Sequence, residues 1–184
     1  MNYKASIYST VQSYFAMLDS LQAGEAELLM QEQAETISRV RADQCRAEIR
    51  KQRSDAHEAA VQQIEQARKA HAEAVDKWNA LSGDKLDKDA ELLKLDIPMN
   101  QTQFQQLCTK HKDNSLMLAL LCQYADKHKD APLYADRPAD AATRKADFSA
   151  YADRAVNVCR EPNSIRAGMF LDNVGVPDSC TYEY

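Results

Sequence analysis

The chain has 184 residues, of which 28% are charged, 45% apolar and 7% aromatic, and its net charge is −5. That length suits one ordinary domain, or a long helical element with a small domain attached. Four glycines are too few to punctuate an all-β or α/β fold, and the mild acidity argues against a general nucleic-acid binder.

Residues 3–82 hold no proline and one glycine, Gly24, while Pro98, Pro132, Pro138, Pro162 and Pro177 all lie beyond. A stretch rich in Ala, Glu, Gln, Arg and Leu without breakers predicts very long helix. Unbroken, it would run about 120 Å at ~1.5 Å per residue. It must therefore fold back on itself, pair with another copy or lie along a partner.

Within it, Ile7, Val11, Tyr14, Leu18 and Leu21 alternate in steps of four and three. That spacing is the seam of a coiled coil or helical hairpin. Gly24 interrupts next. A glycine tolerated inside a helix, or a kink, is favoured over a turn. Leu28, Leu29, Ile37, Val40, Cys45 and Ile49 then leave the register, as at a stutter or a change of partner. The polar run 50–55 can continue the helix or turn it. The heptad returns at His57, Ala60, Ile64, Ala67, His71, Ala74, Trp78 and Leu81. Gly83 is expected to close the helix as a left-handed C′ residue.

The second half is broken into shorter segments. A short amphipathic helix is expected over 87–95. Asn100 or Thr102 can cap a helix carrying Phe104, Leu107, Cys108 and His111. Asp113-Asn114-Ser115 caps the helix 116–129, which is the most apolar and is expected at the centre of a C-terminal core. Pro138 opens a helix with Ala141, Phe148, Ala152, Ala155 and Cys159. Asn163 can cap a last short helix with Ile165, Met169 and Phe170. Residues 176–184 read as a flexible tail. The division expected is an arm over 1–83, a small helical domain over 84–175, and that tail.

Five cysteines at irregular spacing, and an N-terminus without an apolar signal core, predict reduced thiols in the cytoplasm. No window approaches the ~18 apolar residues that span a bilayer, so no membrane contact is expected.

Few residues point to chemistry. Cys108, His111, Cys122 and His128 are a zinc set by type, but their spacing fits core cysteines and surface histidines better. Asp84, Asp87, Asp89 and Glu91 lack the glycine and distal glutamate of a calcium loop and read as a solvated helix start. His57 and His71, two heptads apart, read as seam-edge histidines, with pH-tuned pairing as the sharper alternative. No nucleophile frame or glycine-rich phosphate loop is present, so neither an enzyme nor a cofactor is expected. The basic stretch Arg39, Arg41, Arg46, Arg50, Lys51 and Arg53, set against Asp43 and Glu48, carries a local +4. It reads first as a solvated face with ion pairs and second as a contact for phosphates or an acidic protein surface. No aromatic residue interleaves it, so base stacking is not supported.

The opening Asn2-Tyr3-Lys4-Ala5-Ser6-Ile7-Tyr8, the close of the long helix at Trp78-Asn79-Ala80-Leu81-Ser82-Gly83, and Ala90-Glu91-Leu92-Leu93, Ile97-Pro98-Met99, Phe104 and Asp113-Asn114-Ser115-Leu116-Met117 carry a resemblance. Over roughly residues 1–130 the chain resembles small helical proteins encoded by phages and prophages of gut Gram-positive bacteria. The shared motifs are structural. The resemblance implies a binding function: a virion-assembly accessory, scaffold-like or capsid-associated. The alternative is an anti-CRISPR inhibitor of the type II Cas9–guide RNA complex. The expected partners are a second copy, through the long helices (seam Ile7, Val11, Tyr14, Leu18, Leu21, Ile64, Trp78 and Leu81), and a larger protein or ribonucleoprotein such as capsid protein or Cas9. Direct nucleic-acid binding is not favoured. The expected location is the host cytoplasm or the virion.

Overall fold

A computed structural model describes residues 2–80, 83–128, 133 and 141–172. The fold is all-α. The helices are α1 (Tyr3–Gln33), α2 (Arg39–Asn79), α3 (Asp89–Lys94), α4 (Gln101–Lys110), α5 (Ser115–Lys127), α6 (Ala141–Arg160) and α7 (Ile165–Asp172). One 3-10 turn spans Gly83–Lys85, and no strand occurs among the described residues. Contacts group residues 2–71 and 147–172 into one compact unit and the described residues of 72–146 into another. This grouping follows packing, whereas the division at residue 83 follows composition. The tail 176–184 and the seam residue Leu81 lie outside the described residues.

In the first unit α1 and α2 form an antiparallel hairpin, and the turn falls at 34–38, not at Gly24 or within 50–55. Gly24 is an ordinary helical residue with open space where a Cβ would stand. The turn works through a C-terminal cap that sequence inspection overlooks. Glu35 N–H donates to the Glu32 carbonyl at 3.1 Å and Thr36 N–H to the Gln31 carbonyl at 3.0 Å. Those two bonds make a Schellman motif, which needs a left-handed C′ residue and usually takes glycine. Here Glu35 holds it, at φ 55°. Ser38 then caps α2, its Oγ accepting from Arg41 N–H at 3.3 Å.

The hairpin buries the stripe read from the heptads. Ile7, Val11 and Ile64 are fully buried, and Tyr14 and Ala60 nearly so. Burying each large aliphatic side chain contributes roughly 1.5–3 kcal/mol. The third wall of this core comes from α6, whose Phe148, Ala152, Ala155 and Cys159 step by four, three and four and are all buried. Alanines on both α2 and α6 let these helices approach closely. Tyr14 Oη donates to the Cys159 carbonyl at 3.1 Å and Tyr8 Oη to the Leu171 carbonyl at 3.0 Å, which ties α1 to α6 and α7. Ser164 caps α7 through its Oγ, one residue beyond the Asn163 expected from the sequence.

In the second unit α5 is central, as expected: Met117, Leu118, Leu121 and Tyr124 are buried with Phe104 of α4 and Leu93 of α3. Asn100 forms a full capping box with Gln103, and Asn114 accepts from Met117 N–H. Gly83 is not the left-handed residue expected, since no described glycine has positive φ. The C-terminus of α2 is closed instead by Lys85. Its ammonium donates to the carbonyls of Lys77 at 2.9 Å, Trp78 at 2.7 Å and Ala80 at 2.8 Å. Three ammonium protons thus meet three carbonyls at the negative end of a helix, and the Trp78 carbonyl also accepts from Ser115 Oγ at 2.5 Å. Trp78, expected in the seam, is half-buried against this second core, with the Arg144 guanidinium 3.9 Å from its ring centre.

Candidate interaction surface

The basic stretch does not act as one patch. Arg46 reaches across the hairpin to Glu32 and along its own helix to Asp43 at 3.2 Å. Arg53 reaches across to Glu25 at 2.6 Å. These pairs are part of the hairpin's closure, together with the Thr10–Gln63 hydrogen bond at 3.2 Å. Counting Glu25 and Glu32, six cations face four acids, and the local positive field is halved. Arg41 is exposed and bonds Gln44 at 3.3 Å.

Arg39, Arg50 and Lys51 are exposed and have no ion pair with another described residue. Arg39 and Arg50 stand three helical turns apart on one face of α2, whereas Lys51 lies about 100° round the helix. This arrangement offers two separated guanidinium contacts rather than a groove that follows a phosphate backbone.

Near the turn the surface is apolar. Leu29, Met30 and Val40 are 52%, 61% and 70% exposed, and Arg39 and Arg41 adjoin Val40 in sequence. These three side chains explain why the register is lost between the heptad blocks: the positions flanking the turn face outward. The basic stretch drew attention in the sequence, and this apolar end did not. Its signal was the group Leu28, Leu29, Ile37 and Val40, too many apolar residues for one inward stripe.

The seam is used inside the chain. Ile7, Val11, Tyr14 and Ile64 belong to the core shared with α6, Leu18 packs against it, and Leu21 is buried. The two seam histidines differ. His57 is half-buried at the edge with its ring 6.1 Å from that of Tyr14. His71 is buried and stacks on Phe148 at 3.9 Å.

The zinc set is not assembled. His111 Nε2 lies 2.9 Å from Asp89 Oδ2, and His128 Nε2 lies 2.8 Å from Asp96 Oδ1, so each imidazole serves a different aspartate. Asp87, Asp89 and His111 do place three donor atoms within 4.8 Å of one another. The Lys110 ammonium already stands 2.6 Å from Asp89 and 3.7 Å from Asp87 and supplies the positive charge there. The Asp89 carboxyl is held below the usual carboxylate range, first by its hydrogen bond from Lys110 and next by that from His111. This cluster fixes the start of α3 to the end of α4. Burial pushes the Cys159 thiol up to about 11, which leaves it inert as a nucleophile.

Among the described residues no helix is long and apolar enough to cross a membrane. No protein-family model matches the chain, and no curated protein or solved structure matches it significantly.

Proposed function

We propose that this chain is a non-enzymatic, phage-type binding protein whose hairpin end docks on a larger protein, as a virion-assembly accessory. The observation that supports this reading is the exposed apolar group Leu29, Met30 and Val40 beside the turn, bordered by Arg39 and Arg41. Large apolar side chains with basic neighbours, at the end of a braced two-helix arm, suit insertion into an apolar pocket with an acidic rim. The apolar seam already has partners in its own chain, which favours a different protein over a second copy. The test is gradient co-sedimentation with capsid protein. Binding of the unaltered chain, lost on Met30→Glu with Val40→Glu, supports the reading. Binding unaffected by that double substitution counts against it.

The second reading is inhibition of the Cas9–guide RNA complex. It draws on Arg39 and Arg50, two exposed guanidinium groups on one helix face that can meet acidic side chains or RNA phosphates. The chain added at modest excess should then suppress Cas9 cleavage, and Arg39→Glu with Arg50→Glu should restore it. Undiminished cleavage across several Cas9 types removes this reading.

A further inference from the structure

Helix α3 rests on the second core by one face and turns the other outward. Leu93 is buried and Ala90 packs against that core. Leu86, Leu92, Leu95 and Ile97 are instead 56%, 40%, 70% and 44% exposed. Helical turn extends past both ends of α3: Glu91 N–H donates to the Lys88 carbonyl at 3.0 Å and Leu95 N–H to the Glu91 carbonyl at 2.9 Å. Lys88, Leu92 and Leu95, at steps of four and three, therefore share one stripe.

The segment is fastened at several points. Asp89 meets Lys110 at 2.6 Å and His111 at 2.9 Å. Asp96 meets His128 at 2.8 Å, and Tyr124 Oη donates to the Ile97 carbonyl at 2.7 Å. The outward face is thus presented with little left to order on binding. Neighbouring exposed leucines on a fastened helix mark an interaction surface.

The charges of this face indicate what fits it. Lys88 and Glu91 are exposed and make no ion pair with another described residue. Asp96 keeps 57% of its side chain exposed. The face is therefore positive at its start, apolar in the middle and negative toward its end, which makes it complementary to itself turned end for end. A two-fold axis passing Leu92 sets that leucine on its own copy. In the same register Lys88 meets the copy's Leu95 and Asp96, its methylenes on the leucine and its ammonium at the carboxylate. Every such contact occurs twice, as an isologous interface requires. Parallel pairing would set Lys88 against Lys88.

We infer that this face of α3 pairs with a second copy of the chain, antiparallel, through Leu92 and Leu95, with Lys88 reaching the other copy's Asp96. Two turns of helix fall well short of the ~800 Å² per partner of a standard interface. The pairing is accordingly weak and reversible, with a Kd on the order of 100 µM. It uses none of the residues at the hairpin end and is independent of the docking proposed there.

Sedimentation velocity of the full chain from about 10 µM to 1 mM reads the association. The unaltered chain should pass from monomer to dimer over this range. Leu92→Ser with Leu95→Ser, both at exposed positions, should weaken pairing by about tenfold or more with the circular dichroism unchanged. Lys88→Glu should weaken it about three- to tenfold, since symmetry removes two exposed ion pairs at once. Met30→Glu with Val40→Glu should leave it as it was. Zero-length carbodiimide cross-linking of mixed labelled and unlabelled chains reads the register, and the link expected between copies joins Lys88 to Asp96. A monomer throughout would overturn the inference and leave this face to a different protein. A dimer indifferent to the leucine pair or to Lys88→Glu, or linked only through other residues, would overturn it equally.

Discussion

Replacing Glu35 with glycine distinguishes a hairpin from an unbroken helix by the sign of one stability change. In the hairpin, Glu35 is the left-handed C′ residue of α1 at φ 55°. An L-residue there costs roughly 1–2 kcal/mol that glycine does not incur. Against this, glycine widens the unfolded ensemble by about 0.4–1 kcal/mol. Removing an acid from the negative end of α1 adds about 0.3 kcal/mol in favour of the variant. The net expectation for Glu35→Gly is a gain of about 0.5–1 kcal/mol. If residues 33–39 continued as helix, the same change would cost about 0.5–1 kcal/mol. Urea unfolding followed by far-ultraviolet circular dichroism reads the difference. With a slope of about 2 kcal/mol per M, the midpoint should rise by ~0.3–0.5 M. Gly24→Ala, where the added methyl meets open space, should also raise it, by a similar amount, and controls for helix propensity. A lowered midpoint for Glu35→Gly would refute the turn.

Phe104→Ala removes a fully buried ring from the second core and should cost about 3–5 kcal/mol in thermal unfolding monitored by fluorescence of Trp78, the one tryptophan. Lys85→Met leaves the Lys77 and Ala80 carbonyls without their donor, while Trp78 keeps only that from Ser115; a loss of about 1–2 kcal/mol and a shift of Trp78 emission are expected. Asp89, whose carboxyl is lowered by Lys110 and then His111, contributes stability that is present above about pH 4 and lost as pH falls through its folded value. Asp89→Asn should flatten the acid side of the stability profile, and an unchanged profile would show that the cluster contributes little. Cys159, buried with its thiol raised to about 11, should resist a thiol reagent at pH 8 until the chain is unfolded.

Much of the local structure was legible in the sequence because it depends on neighbours. The heptads marked the inward faces of α1 and α2, and Asn100 and Asn114 announced their caps. The hairpin turn was obscured because glutamate fills a position where glycine is the usual signal, while of the visible glycines Gly24 lies inside α1, as favoured from the sequence, and Gly83 does not take the left-handed conformation expected of it. Ser38, a good N-cap residue, was the available clue. The packing of α6 on the hairpin joins residues 85 to 145 positions apart, and alanine-rich stripes carry no mark of which stripe they meet. The basic stretch shows the same limit. Arg46 and Arg53 find Glu32 and Glu25 only once the chain turns at 34–38, so two of the six cations look free in sequence and are not.

The account rests on α1 and α2 lying side by side in one chain, and an electron–electron distance measurement tests this directly. Spin labels on Thr10→Cys and Gln63→Cys, with Cys45, Cys108, Cys122 and Cys180 replaced by serine and the sample diluted in unlabelled chain, report the separation of two residues that are hydrogen-bonded at 3.2 Å. The hairpin predicts a narrow distribution below about 25 Å, since paired helices lie 8–10 Å apart and the labels add their own length. An unbroken helix would put them about 80 Å apart at ~1.5 Å per residue, and a signal with no short distance would contradict the fold described.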